Sequence, residues 1–193
     1  MVVELFATGL TLRFCVSSQG IETGNMFVRN IGIRTKIASK FDRQVIAQKI
    51  SSYLATATLI PDNGSNGVET DNTPATFWVT NPANTWTDNI ATGSESFGFW
   101  FELLKRGPRR NDAPYAHLDP KRDNVVKFSG NEFHSIGVTA LKYYLNGYHS
   151  DTLQLFENLK FSRNKFIALG IFFTKHIHCK NCFFQVTTNT NII

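Results

Sequence analysis

Large apolar residues come in twos and threes along this chain, and Asn, Gly, Thr or Pro breaks up each group. The stretch from Phe77 to Leu104, FWVTNPANTWTDNIATGSESFGFWFELL, shows the pattern at its densest, with Phe77, Trp78, Trp86, Phe97, Phe99, Trp100 and Phe101. It is too interrupted for a helix and too polar for a transmembrane span. Short apolar runs with period-two alternation predict short strands. Asn tolerates left-handed backbone and bonds to nearby backbone groups, so it suits tight bends between strands. Gly at a second bend permits positive φ.

A degenerate repeat organises these runs: an aromatic residue, two arbitrary residues, then Asn. It occurs as FVRN (Phe27–Asn30), WTDN (Trp86–Asn89), FSGN (Phe128–Asn131) and FSRN (Phe161–Asn164). The last two extend further, because FSGNEFHSIGVTA and FSRNKFIALGIFF share Phe, Asn, Phe, Gly and an apolar pair at the same offsets. Strand, Asn bend, strand, Gly bend, strand describes one turn of a parallel β-helix. Each coil cannot bury its own apolar face, and stacked coils make one core. The expected fold is therefore all-β, a parallel β-helix of five or six coils, with Asn30, Asn89, Asn131 and Asn164 at the bends and able to stack into a side-chain ladder. Phe128, Phe133, Phe161, Phe166, Trp86 and Trp100 are expected to point into the cylinder. A β-sandwich with Asn- and Gly-containing loops is the alternative.

Three insertions interrupt the repeat. Residues 41–58 place apolar residues at helical spacing and predict one short amphipathic helix. LIPDNGSNGVETDNTPA is an Asn-, Gly- and Pro-rich loop, and its NGS makes Asn63 a glycosylation acceptor if the chain is secreted. Lys105–Asp123 is a loop in which Lys105, Arg106, Arg109, Arg110, Lys121 and Arg122 outnumber three Asp.

The motifs NIGIRTK (Asn30–Lys36), TPATFWVTNPANTWTDNIATGSESFGFWFEL (Thr73–Leu103) and FSGNEFHSIG (Phe128–Gly137) resemble one group. It is the right-handed parallel β-helix region shared by the cell-migration-inducing hyaluronan-binding protein, the transmembrane cell-surface hyaluronidase and fibrocystin-L. GIETGN (Gly20–Asn25) is similar to the coil that precedes it there. The resemblance covers residues 20–173 and leaves 1–19 and 174–193 as segments of uncertain role. It implies a right-handed β-helix, an extracellular or cell-surface setting, an acidic polysaccharide such as hyaluronan as partner, and a place in a larger multidomain protein. It carries over no catalytic residue and no cofactor.

The 193 residues fit one domain. The net charge of +5 permits an anionic partner, but no RNA-binding signature or basic helix points to nucleic acid. No run approaches the roughly 18–20 apolar residues of a membrane span. The N-terminus carries Glu4 and lacks a basic lead-in, so it makes a poor signal peptide, and the chain is expected to be cytosolic or a fragment.

Candidate chemistry follows from residue type. Glycoside hydrolysis needs paired carboxylates, and Asp88, Glu95 and Glu102 are candidates, although no spacing forces them together. Arg forks suit carboxylates and sulfates. Lys105, Arg106, Arg109, Arg110 and Arg122, with Tyr115 or His117 stacking on a sugar face, would form a glycan-binding loop. HIHCKNC places His176, His178, Cys179 and Cys182 like half a zinc site. Four ligands in seven residues are cramped, so a Cys179–Cys182 disulfide or an idle tail are the alternatives, and no metal is expected. Three function classes remain: a polysaccharide-recognising or structural module, a hydrolase or lyase on an acidic polysaccharide, and a truncated product with no independent function. Convergence of the three carboxylates in one cleft would separate the first two.

Overall fold

The computed structural model describes residues 2–3, 6–8, 14–15, 23–36, 75–103, 117–143, 147–171 and 173–185. All regular structure among them is strand, and the strands wind into a parallel β-helix. The first coil is β1 (Val2–Val3), β2 (Phe6–Thr8) and β3 (Phe14–Cys15). The second is β4 (Met26–Val28), β5 (Ile31–Ile33) and β6 (Ala75–Val79), and the third is β7 (Thr85–Thr87), β8 (Ile90–Thr92) and β9 (Phe97–Phe101). The fourth is β10 (Lys127–Ser129), β11 (Glu132–His134) and β12 (Thr139–Tyr143), and the fifth is β13 (His149–Glu157), β14 (Lys160–Ser162) and β15 (Ile167–Ile171). A further partial coil holds β16 (Lys175–Lys180) and β17 (Phe183–Gln185). Strands three apart in sequence pair in parallel and give three sheets: A is β1-β4-β7-β10-β13-β16, B is β2-β5-β8-β11-β14-β17, and C is β3-β6-β9-β12-β15. The helix expected over residues 41–58 and the loop carrying Asn63 lie outside the described residues.

The core consists of aromatic columns that run along the axis. Neighbouring strands sit about 4.8 Å apart, close to the separation of stacked rings. Phe27 lies on Trp86 at 4.1 Å, Phe77 on Phe99 at 4.3 Å and Phe101 on Tyr143 at 4.4 Å. Phe133, Phe161 and Phe184 form a further column, with 4.6 and 4.7 Å between successive rings. Aromatics recur because the three-residue strands β4, β7, β10, β11 and β14 each bury one central side chain, Phe27, Trp86, Phe128, Phe133 and Phe161. That side chain must fill a wide cylinder. Trp100 and Phe166 do not join this core. Trp100 lies on the outer side of sheet C, packed against Ala75, Trp78 and Phe97, and Phe166 is half-buried at the bend before β15.

The bends follow a rule that differs from the expected one. Between sheets A and B, the residue in left-handed backbone is Arg29, Asp88, Gly130, Asn158 or Asn181, with φ between 53° and 69°. The next residue turns inward: Asn30, Asn89, Asn131, Leu159 and Cys182 in successive coils. Asn30, Asn89 and Asn131 therefore follow the left-handed position, which Asn158 and Asn181 occupy in later coils. Between sheets B and C the same device recurs at Arg34, Gly93, Ser135 and Arg163, each with positive φ.

The recurrence corrects the repeat register. Phe128 pairs with Phe156, and Phe133 with Phe161. FSRN therefore aligns with the FHSI of Phe133–Ile136, and Asn164 sits at the B–C bend, where its Oδ1 accepts from Ile136 N–H at 3.1 Å. Two corners built the same way produced one apparent motif. The shared glycines are likewise not equivalent and have no positive φ. Gly98 is needed for closeness: a Cβ there would press on the Ala140 carbonyl.

Candidate functional site

Asn30, Asn89 and Asn131 are fully buried and linked in a chain. The Asn89 Oδ1 accepts from Asn30 N–H at 3.0 Å and from Asn30 Nδ2 at 2.9 Å. Asn131 Oδ1 accepts from Asn89 N–H and Asn89 Nδ2, both at 3.0 Å. The ladder saturates amides inside the core and leaves none directed at a ligand, so it shapes the scaffold that holds the site.

The three candidate carboxylates stand at different corners of one coil. Asp88 is exposed at the A–B bend, Glu95 is exposed at the B–C bend, and Glu102 is buried just after β9. Strand β8 separates the first two and β9 separates Glu95 from Glu102. Glu102 lies near Lys142, whose ammonium sits 4.3 Å from the Phe97 ring centre. Burial draws the Lys142 pKa down from 10.5 to about 8, and the Glu102 charge opposes that shift only in part.

Polar groups do converge at the foot of sheet A. Asp119, Lys121, Arg122, His149, Ser150, Asp151, Lys175 and His176 line a cleft of about 390 Å³. Its first wall is a tight turn. Pro120 presets the turn backbone after Asp119, and Arg122 N–H closes it on Asp119 O at 2.7 Å. Lys121 and Arg122 are thereby placed at the tip. The turn is fixed to β13 where His149 N–H donates to Lys121 O at 2.8 Å. From below, the Tyr148 hydroxyl donates to Asp123 O at 2.8 Å. Asn124 Oδ1 collects donors from Ser150, Thr152 and Gln154, at 2.7, 3.0 and 3.0 Å.

The second wall is an irregular strand. His149 pairs with Lys175, but Gln154 pairs with Ile177, so β13 carries three more residues than β16 across the same interval. Extra residues bend a strand out of its ladder. Here they bring Ser150 and Asp151 to the cleft, and His176 Nδ1 lies 2.7 Å from Ser150 O. Across the gap, Arg122 Nη1 meets Asp151 Oδ1 at 3.2 Å, and Arg122 Nε lies 4.0 Å from Asp119. The Arg122 side chain is 62% exposed, so this network contributes little to stability.

Of the basic loop predicted to bind glycan, Lys105, Arg106, Arg109, Arg110 and Tyr115 lie outside the described residues. Arg122 lies in the cleft. Sequence reading missed Lys175, His149 and His176 as its neighbours, since they follow Arg122 by 27 to 54 positions. Only the coil period, which the irregular β13 obscures, brings them together. Cys179 and Cys182 form a disulfide, so their sulfurs are not free thiolates for a metal. His178 pairs with Leu155 and lies apart from the cleft. Among the described residues, no group of His, Cys, Asp and Glu is arranged to hold a metal ion, and no helix is long and apolar enough to cross a membrane.

The family model described as CEMIP beta-helix matches residues 14–141. A Dictyostelium discoideum protein is 34% identical over 128 residues, covering 60% of this chain and 10% of its own length. Fibrocystin-L of Mus musculus is 42% identical over 72 residues, and that of Homo sapiens 39% over 69. Each match covers 35% of this chain and 2% of the relative. The chain thus spans a tenth or less of the length of these relatives. No solved structure matches it significantly.

Proposed function

The chain belongs to the CEMIP beta-helix family, and from that premise we propose that it is a non-catalytic module that recognises an acidic polysaccharide such as hyaluronan. It works outside the cell or at the cell surface as one part of a larger multidomain protein. The observation that carries this reading is the cleft, where Lys121, Arg122 and Lys175 gather on a rigid coil edge with two imidazoles beside them. Arg and Lys side chains recognise carboxylate and sulfate groups. In sequence, Lys105, Arg106, Arg109, Arg110 and Tyr115 precede this turn. The Cys179–Cys182 disulfide suits an oxidising compartment, which would also make Asn63 a glycosylation site. Separate corners for Asp88, Glu95 and Glu102 support recognition without hydrolysis.

Binding should be weak at each contact and strengthened by the repeating polymer. It should also fall steeply as salt screens the charges. Titration with hyaluronan and with a sulfated glycan, at low and high salt, tests this against an Arg122→Ala/Lys175→Ala variant. The variant is expected to bind about tenfold more weakly at low salt. Equal binding by the two proteins would remove the cleft from the functional account.

A further inference from the structure

We propose that the cleft is an acid-enhanced anion site, in which His149 and His176 set the affinity for a carboxylate- or sulfate-bearing sugar. The proposal rests on the polysaccharide reading above and adds its regulation. At neutral imidazoles the cleft holds three cations, Lys121, Arg122 and Lys175, against two carboxylates, Asp119 and Asp151. Arg122 is engaged with both carboxylates, so an incoming anion competes with the protein's own acids for it. The net charge of the lining is then one positive, and two protonated imidazoles raise it to three.

The hydrogen bonding of His176 fixes the direction of the switch. Ser150 O is a carbonyl and only accepts, so Nδ1 at 2.7 Å must carry the hydrogen. In the neutral ring that leaves Nε2 as a bare acceptor, which repels an anionic oxygen. Protonation turns Nε2 into a charged donor. Imidazole is the side chain whose charge changes between about pH 5 and 8, while sugar carboxylates and sulfates stay ionised there.

Among the described residues, the charged groups that line the cleft around the two rings come from three elements. Strand β13 contributes Asp151, β16 contributes Lys175, and the turn contributes Asp119, Lys121 and Arg122. Behind the turn, the Asp123 carboxylate accepts from Asn81 Nδ2 at 3.2 Å. Tyr148 beneath it is pushed up to about 12, chiefly by burial and further by Asp123, against opposing hydrogen bonds from Ser150 and Val125. It therefore stays neutral throughout this range. His117 is exposed at the start of the turn segment, and His178 lies apart beside Leu155.

The test is calorimetric titration of hyaluronan oligosaccharides and of chondroitin sulfate into the 193-residue chain at about pH 5 and about pH 8. Wild type is compared with His149→Gln/His176→Gln, and thermal midpoints confirm that both are folded. Wild type is expected to bind about tenfold more tightly at the acid pH than at the alkaline pH, and the double variant to bind with the same affinity at both. The imidazole proton resonances of the wild type should shift on titration with either polymer that binds. A gain with chondroitin sulfate alone supports the gate and identifies sulfate as the anion. Equal acid enhancement in the folded variant overturns the gate and leaves the polysaccharide reading standing, as does equal wild-type affinity at both pH values. Absence of binding to either polymer at either pH overturns both.

Discussion

At the scale of single residues, Asn89 is the middle link of the ladder. Its carbonyl takes two donors from Asn30, and its amide supplies Asn131 Oδ1 and Phe27 O, the latter at 3.0 Å. All of this lies in a fully buried corner. A buried donor or acceptor left unpaired costs about 1–3 kcal/mol. Asn89→Ala strands several at once, although partial relaxation and water entry recover some of the loss. We expect Asn89→Ala to destabilise the chain by about 3 kcal/mol in denaturant titrations. If Asn89→Ala costs less than about 1 kcal/mol, the ladder is not the source of corner stability.

At the scale of elements, the coil is the unit, and each corner depends on its successor. Arg29, Asp88, Gly130 and Asn158 each donate their left-handed N–H to a carbonyl of the following coil, at 2.9–3.1 Å. Asn181 occupies the same place in the last described coil, and there the disulfide joins Cys179 to Cys182 across the bend. The cross-link ties the two sides of that bend together, and Cys182 packs against the core. Reduction of this bond should therefore loosen β16 and β17 selectively. Hydrogen exchange is expected to quicken over residues 175–185 and stay unchanged over 85–101, whereas uniform quickening would show that the coils do not open separately. The coil was legible in the sequence because period-two aromatics and Asn bends are local signals. Its register was not, because Phe128–Asn131 and Phe161–Asn164 satisfy the same local rule at different corners. Trp100 was misplaced for a related reason: period two gives alternation, but not which parity faces inward on a strand apolar on both sides.

At the scale of the whole molecule, the scaffold was more legible than the site, since the cleft depends on which residues come round one coil later. Arg122 could be singled out by its charged neighbours in sequence, whereas His149, Lys175 and His176 needed the coordinates. The molecule also buries ionisable groups on two sides of its core, and they give its stability a defined pH profile. Lys142 lies on the outer face of sheet C, with its pKa lowered to about 8 by burial. Below about pH 8 it is charged in both folded and unfolded chains, and the fold bears the full penalty of burying the charge. Between about pH 8 and 10.5 the unfolded chain binds more protons than the folded one, so stability rises with pH, by about 3 kcal/mol in total. The buried phenols act in the opposite sense. Tyr148 is raised from 10.0 to about 12, mainly by burial, and Tyr143 is raised further by burial and by Tyr148. Above about pH 10 the unfolded chain loses phenolic protons that the folded chain keeps, so stability falls from there toward pH 12. Unfolding free energy should therefore peak near pH 10, and the rising flank should disappear in Lys142→Met. That variant removes the titrating ammonium, so its profile is expected to be flat between about pH 8 and 10. A wild-type profile that already declines from pH 8, or a variant that keeps the rising flank, would show that Lys142 does not titrate as a buried group.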